Sequence, residues 1–176
     1  LPLLETPERA ANQPDCQPKL TMGLSPTLLT LLDAPDLKQR FPTWLEQRQQ
    51  LLPQADPALR DGADHLSSTF ERHLAAWKAC AGDLIGRFAA LQRQGVVDLL
   101  TCGATHGYLP LLRHHPEAVR GQLRTAVREH QRLIGERPLG IWLPECAYYE
   151  GLDHWMRDAG LRYAVLDAHG LLHGRP

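Results

Sequence analysis

The sequence predicts an α/β fold in which parallel strands form part of a TIM-like β/α barrel with a long helical insertion. Four short apolar runs, at 20–24, 96–102, 140–143 and 163–166, have the length and bounding residues of strands. Helical stretches separate them, the alternation that yields parallel strands joined by right-handed crossovers. A complete barrel of this kind takes roughly 250 residues. The chain supplies 176 residues, enough for a substantial core but for only part of such a barrel. It begins at Leu1 rather than at a methionine and ends close behind a strand. Residues 1–176 are therefore expected to be one piece of a single catalytic barrel domain, with its N- and C-terminal portions missing.

The elements follow in order. The first strand leads to Ser25 as N-cap and Pro26 at the first helical position. Asp33-Ala34-Pro35 closes that helix, and Thr43 is placed to cap a second one over 44–52. Pro53, Pro57 and Gly62 mark a loop. Leu66, Phe70, Leu74, Trp77, Ala81, Leu84 or Ile85, Phe88 and Leu91 then recur at helical spacing, a one-sided stripe that predicts a long inserted helix with core-packing aromatics. Gly82 and Gly86 each weaken such a helix by about 1 kcal/mol relative to alanine, which predicts a bend or a close helix contact. Gly95 ends it, and the second strand follows. A helix over 117–134 shows Val119, Leu123, Ala126 or Val127, and Leu133 or Ile134 on one face and stops at Gly135. The third strand comes next. A short helix over 151–159 precedes the last strand, which runs into Asp167-Ala168-His169-Gly170.

Composition excludes several classes. The chain is 43% hydrophobic and 22% charged, with a formal net charge of −1. Nothing in that balance points to nucleic acid or an anionic membrane as partner. No bilayer-spanning run or signal peptide is read. Cys16, Cys80, Cys102 and Cys146 are scattered without a CxxC pair, which fits a reducing cytoplasm and argues against a zinc cluster.

The most informative segment is GIWLPECAYYEGL, residues 140–152. Pro144 cannot donate to a sheet ladder and stops the strand. Glu145 is thereby delivered at a strand's carboxyl end among Trp142, Tyr148 and Tyr149. In parallel α/β architectures that edge holds ligands and chemistry. A carboxylate among aromatics suits a sugar site, because rings stack on pyranose faces while the carboxylate meets an anomeric carbon. The competing reading is a strand-end glutamate that simply faces water. Two further strand ends are polar: Cys102 to Tyr108, which includes His106, and Asp167 with His169. A parallel sheet places all three on one edge, the geometry of an active-site rim. Asp167 reads as a rim residue that orients a neighbour or binds a sugar hydroxyl. Glu150 and Asp153 read as first-turn helix residues, favourable in the helix dipole. His65, His73, His130 and His154 read as helix-surface residues, and His114-His115 as a solvated turn. Cys146 has no evident base and reads as a small buried thiol.

The runs LLTCGATHGYLPLL (99–112), GIWLPECAYYEGL (140–152) and LRYAVLDAHGLLHG (161–174), in this order and with LTMGLSPTLLTLL (20–32) upstream, resemble glycoside hydrolase family 57. Within it they are most similar to the 1,4-α-glucan branching enzymes. The resemblance implies an incomplete (β/α)7 barrel acting with retention on α-1,4-glucans such as amylose or glycogen-like chains, in glycogen biosynthesis. It implies no metal and no other cofactor. Glu145 matches the catalytic nucleophile, and His106 matches a histidine lining the sugar subsite next to the cleavage point. Trp142 and Tyr148 fall in the same substrate-lining segment. Two family features are absent. A His-any-Pro-His-like motif would lie before Leu1, and the aspartate that serves as general acid/base would lie beyond Pro176. Retaining chemistry needs two carboxyl groups about 5–5.5 Å apart. The isolated chain is therefore expected to be inactive, and Asp167 is not read as a substitute acid.

Three alternatives stand beside this reading. A 4-α-glucanotransferase or α-amylase of the same family would share these motifs. A metal-dependent polysaccharide deacetylase would use His169-x-x-x-His173 with Asp167, although Gly170 counts against the helix that would put both histidines on one face. A non-catalytic glycan-binding relative would keep the aromatic rim.

Overall fold

The computed structural model describes residues 2–13, 15, 18–54 and 56–172. Its centre is an all-parallel four-stranded sheet in sequence order: β1 (Leu20–Gly23), β2 (Val97–Cys102), β3 (Gly140–Trp142) and β4 (Tyr163–Val165). Leu20 is in register with Val97, Thr101 with Ile141, and Ile141 with Ala164. Sequential parallel strands with helical crossovers form part of a β/α barrel, as the sequence predicts.

Helix α1 (Pro2–Ala11) precedes β1, in a stretch where the sequence reading placed no element. It buries Leu4 and pairs Glu8 with Arg87. Ser25 caps α2 (Pro26–Asp33) as expected, its hydroxyl accepting from the Leu28 N–H at 3.2 Å. Ala34 is then extended (φ −61°, ψ 120°), as a residue before proline must be. Pro35 opens α3 (Pro35–Leu51), which runs through Pro42 and Thr43 without restarting. The boundary expected at Thr43 is therefore wrong. Pro42 removes one backbone donor, while Phe41, 4.6 Å from the Trp77 ring, and the buried Leu45 anchor the helix on both sides of it.

The long inserted helix is two helices, α4 (Arg60–Ala79) and α5 (Leu84–Arg93). The first starts early enough to include Gly62, where the sequence predicts a loop. Ala81 and Gly82 adopt φ of 49° and 75°, and a Cβ on Gly82 would sit 2.9 Å from the Trp77 ring. Asp83 then caps α5, accepting from the Gly86 N–H at 2.8 Å. The glycines thus mark a full break with a new cap rather than a bend. The stripe is core in α5, where Ile85, Phe88 and Leu91 are buried, but Leu66 of α4 is exposed.

Helices α6 (Leu109–Leu112), α7 (Pro116–Ile134) and α8 (Leu152–Asp158) cover the rest of the sheet. A last helix, α9 (Ala168–Leu172), includes Gly170, so the expectation that this glycine opposes a helix is corrected. Asp167 nucleates it by accepting the His169 N–H at 3.1 Å. His173, and with it the His169–His173 spacing, lies outside the described residues, as does Cys16. His130 is another correction. It is fully buried, because it continues the α7 stripe between Ala126 and Ile134, and both its ring nitrogens lack a hydrogen-bond partner. Burial lowers its pKa to about 4.

Strand alternation assigns the two faces of the sheet. Val97, Leu99 and Ile141 turn toward the helices. One apolar cluster packs Leu29, Ile85 and Phe88 onto β2, and the other packs Val119, Leu123, Leu152 and Met156 onto Ile141 and Leu143. Each fully buried leucine or isoleucine contributes about 1.5–3 kcal/mol. The opposite face carries Asp98, Leu100 and Cys102 of β2 with Gly140 and Trp142 of β3. There the Tyr163 hydroxyl donates to the Asp98 carboxylate across β3. Burial, aided by this bond, pushes the Tyr163 hydroxyl up to about 12. Gly140 makes room for the crossing, since an added Cβ would lie 2.4 Å from the Tyr163 ring and 2.5 Å from Leu100.

Candidate active site at the strand ends

β2 and β3 end side by side, with Cys102 in register with Trp142, and each runs into a tight turn. After β2 the His106 N–H donates to the Gly103 carbonyl at 3.0 Å, and His106 adopts φ 58°. After β3, Leu143 is extended ahead of Pro144, and the Cys146 N–H returns to the Leu143 carbonyl at 2.8 Å. Glu145 and Cys146 take φ of 55° and 52°. Among the described residues the non-glycine positions with positive φ are Ala81, His106, Glu145 and Cys146, so three of the four lie at these two strand ends. The left-handed conformation costs an L-residue about 1–2 kcal/mol. It persists where surrounding structure over-determines it, and such residues cluster at functional sites.

The two turns bring their side chains together. Glu145 Oε1 lies 3.2 Å from His106 Nε2, and His106 Nδ1 lies 3.2 Å from Cys102 Sγ. This row leads from the buried strand to solvent: Cys102 is buried, while the His106 and Glu145 side chains are 50% and 72% exposed. Burial pushes the Cys102 thiol up. Gln122 of α7 secures the first turn. Its side-chain oxygen accepts from the Thr105 N–H at 3.0 Å, its amide donates to the Thr105 hydroxyl at 2.7 Å, and its carbonyl accepts from the Ala104 N–H at 3.2 Å. At Gly103 an added Cβ would lie 3.3 Å from both Gln122 and Pro144, so the turns meet there closely enough that a side chain would crowd both.

Trp142 and Tyr148 flank Glu145 in sequence and are both exposed. The Tyr148 hydroxyl donates to Asp153, in the first turn of α8, at 3.1 Å. Burial and this bond raise the Tyr148 pKa. Asp167 and His169 follow β4 and pair with each other, Asp167 Oδ1 lying 2.7 Å from His169 Nδ1. The His169 ring and N–H together hold the Asp167 carboxyl below the usual carboxylate range. Among the described residues no group of three His, Cys, Asp or Glu side chains is arranged to hold a metal ion. Gln122 and the support from Cys102 escaped sequence reasoning. A glutamine beside the apolar stripe of a helix looks like any surface glutamine, and a cysteine ending an apolar strand looks like core.

An exposed carboxylate paired with a histidine at the carboxyl ends of parallel strands is the arrangement of an active-site rim in a β/α barrel. The model of glycosyl hydrolase family 57 matches residues 28–175, and the chain belongs to that family. It is 31% identical over 170 residues to a 1,4-alpha-glucan branching enzyme of Thermococcus kodakarensis, a match covering 85% of this chain and 25% of that protein. It is 29% identical over 194 residues to a probable 1,4-alpha-glucan branching enzyme of Mycobacterium tuberculosis, covering 99% of this chain and 36% of the relative. Among solved structures, a GH57-type branching enzyme from Pyrococcus horikoshii superposes with a TM-score of 0.87 at 27% identity, over 97% of this chain and 36% of that one. A novel alpha-amylase from Thermotoga maritima superposes with a TM-score of 0.86 at 28% identity, over 98% and 34%. The chain thus spans a quarter to about a third of the length of these relatives.

Proposed function

We propose that this chain carries the nucleophile side of a retaining α-glucan-active site, and that the whole protein is a 1,4-α-glucan branching enzyme acting on amylose- or glycogen-like chains. The observation that carries the reading is Glu145, held at the end of β3 within 3.2 Å of His106 on an open edge. In this reading the Glu145 carboxylate attacks the anomeric carbon and forms a glycosyl-enzyme ester, while a second carboxyl group protonates the departing glycosidic oxygen. That second group then takes the proton from the 6-hydroxyl of an acceptor chain, whose oxygen displaces Glu145 and closes an α-1,6 bond. His106 lines the subsite next to the cleavage point, and Trp142 and Tyr148 offer rings to pyranose faces. Asp167 and His169 bind hydroxyls at the neighbouring strand end. Retaining chemistry needs a second carboxyl group about 5–5.5 Å from Glu145 as acid/base; no residue of this chain is assigned that role, and residues 1–176 alone should turn over no glucan. The mechanism draws on no cofactor. A cytoplasmic role in glycogen-type storage suits it, and among the described residues no helix is long and apolar enough to cross a membrane.

The similarity to the Thermotoga maritima amylase favours hydrolysis as the second reading. Incubating the full-length protein with amylose beside its Glu145→Gln variant, then debranching and sizing the products, separates the readings. New α-1,6 linkages that vanish in the variant would support branching. Shortened linear chains would indicate an amylase, redistributed linear chains a glucanotransferase, and unchanged amylose would overturn the reading.

A further inference from the structure

We propose that Cys102 is a positioning residue that decides which nitrogen of His106 carries the proton, keeping Nε2–H aimed at the Glu145 carboxylate. The inference rests on the reading of Glu145 as nucleophile. An ionised carboxylate only accepts hydrogen bonds. The 3.2 Å contact between Glu145 Oε1 and His106 Nε2 is therefore a hydrogen bond when Nε2 holds the proton. In a neutral imidazole the other nitrogen is then an acceptor and needs a donor. Cys102 Sγ stands 3.2 Å from His106 Nδ1. Burial keeps its proton on sulfur, outweighing the Gly103 amide that favours the thiolate, and the negative charge of Glu145 acts in the same direction as burial.

The proton order that satisfies all three groups is Sγ–H to Nδ1 and Nε2–H to Oε1. The reverse order would put a bare Nε2 lone pair against the carboxylate. The support is also rigid, because Cys102 belongs to a central strand and is in register with Trp142. The left-handed backbone of His106, at φ 58°, turns the ring back over its own strand end to reach both partners. A nucleophile met by a neutral donor is oriented while keeping its full negative charge, which an imidazolium partner would partly cancel.

The test uses the full-length protein with 15N-labelled imidazoles, His106 being assigned by the signal lost in His106→Gln. Wild type and Cys102→Ser should both show the Nε2–H tautomer, whereas Cys102→Val and Cys102→Ala should show a mixture of the two tautomers. On amylose, Cys102→Val should lower kcat by about tenfold, the scale typical of orienting partners of functional histidines. KM should stay within about twofold of wild type, and Cys102→Ser should recover kcat. The same His106 tautomer in all variants, or a serine variant as slow as the valine one, would overturn the inference. A wild type inactive on amylose would sink the branching reading instead, and the tautomer comparison would still decide the role of Cys102.

Discussion

Two histidine–carboxylate pairs stand at neighbouring strand ends and are built in opposite ways. Asp167 and His169 are two residues apart, with a 2.7 Å side-chain contact and a 3.1 Å bond from the His169 N–H. This is a local turn that starts a helix, available to any chain with a suitable aspartate there. His106 and Glu145 are 39 residues apart and meet at 3.2 Å. They do so because β2 and β3 are neighbours, and because both residues accept a left-handed backbone that costs about 1–2 kcal/mol each. Gln122 and Cys102 then brace the assembly. The shorter contact is thus the cheaper one, and the longer contact is the one in which the fold stores strain. Strain held at a strand end, rather than a short distance, distinguishes the candidate site from ordinary helix capping.

The sharpest way to break this contrast is Glu145→Gln. Glucan turnover by the full-length protein should fall by at least about a thousandfold, while the melting temperature moves little because the side chain is 72% exposed. Turnover near wild type would move the chemistry elsewhere on the rim. Next comes the paired comparison of the histidines. His106→Ala should lower turnover by about a hundredfold and His169→Ala by no more than about threefold. Equal losses would erase the distinction.

A third histidine extends the comparison to one without a carboxylate partner. Burial lowers His130 from 6.5 to about 4. Above pH 6.5 it is neutral in both folded and unfolded chains. As pH falls from there toward 4, the unfolded chain binds a proton that the folded chain refuses. Stability should decline by about 3 kcal/mol over that window. Urea unfolding at several pH values should show this slope in wild type and a flatter one in His130→Leu; identical slopes would remove His130 as the cause. The smallest effect concerns the local pair. The Asp167 carboxyl is held below its ordinary range, so its bonding to His169 persists above that range and is lost as pH falls through the lowered value. In Asp167→Asn, amide exchange at His169 should quicken by less than about tenfold with the global melting temperature unchanged. A cooperative loss of stability would show that this pair is not merely local.

Much of the architecture was legible because its signals are local. Ser25-Pro26 starts α2, Gly135 ends α7, and Pro144 ends the strand run that delivers Glu145. Errors arose where local signals competed with packing. Thr43 suggested a helix start, yet Phe41 and Leu45 hold α3 together across Pro42 and Thr43. Gly82 suggested a bend or a close helix contact; the Trp77 ring does lie close, but the helix breaks completely rather than bending. His130 looked like a surface residue until its stripe was packed against the sheet.

The sequence by itself determined which residues stand at the strand ends, because apolar run length, proline stops and glycine ends act over a few neighbouring residues. Only the tertiary structure decided which of them face one another. The approach of His106 to Glu145, the bracing by Cys102 and Gln122, and the burial of His130 all depend on sheet register and helix packing. Those are set by contacts between residues far apart in the chain, whose energy no local pattern records.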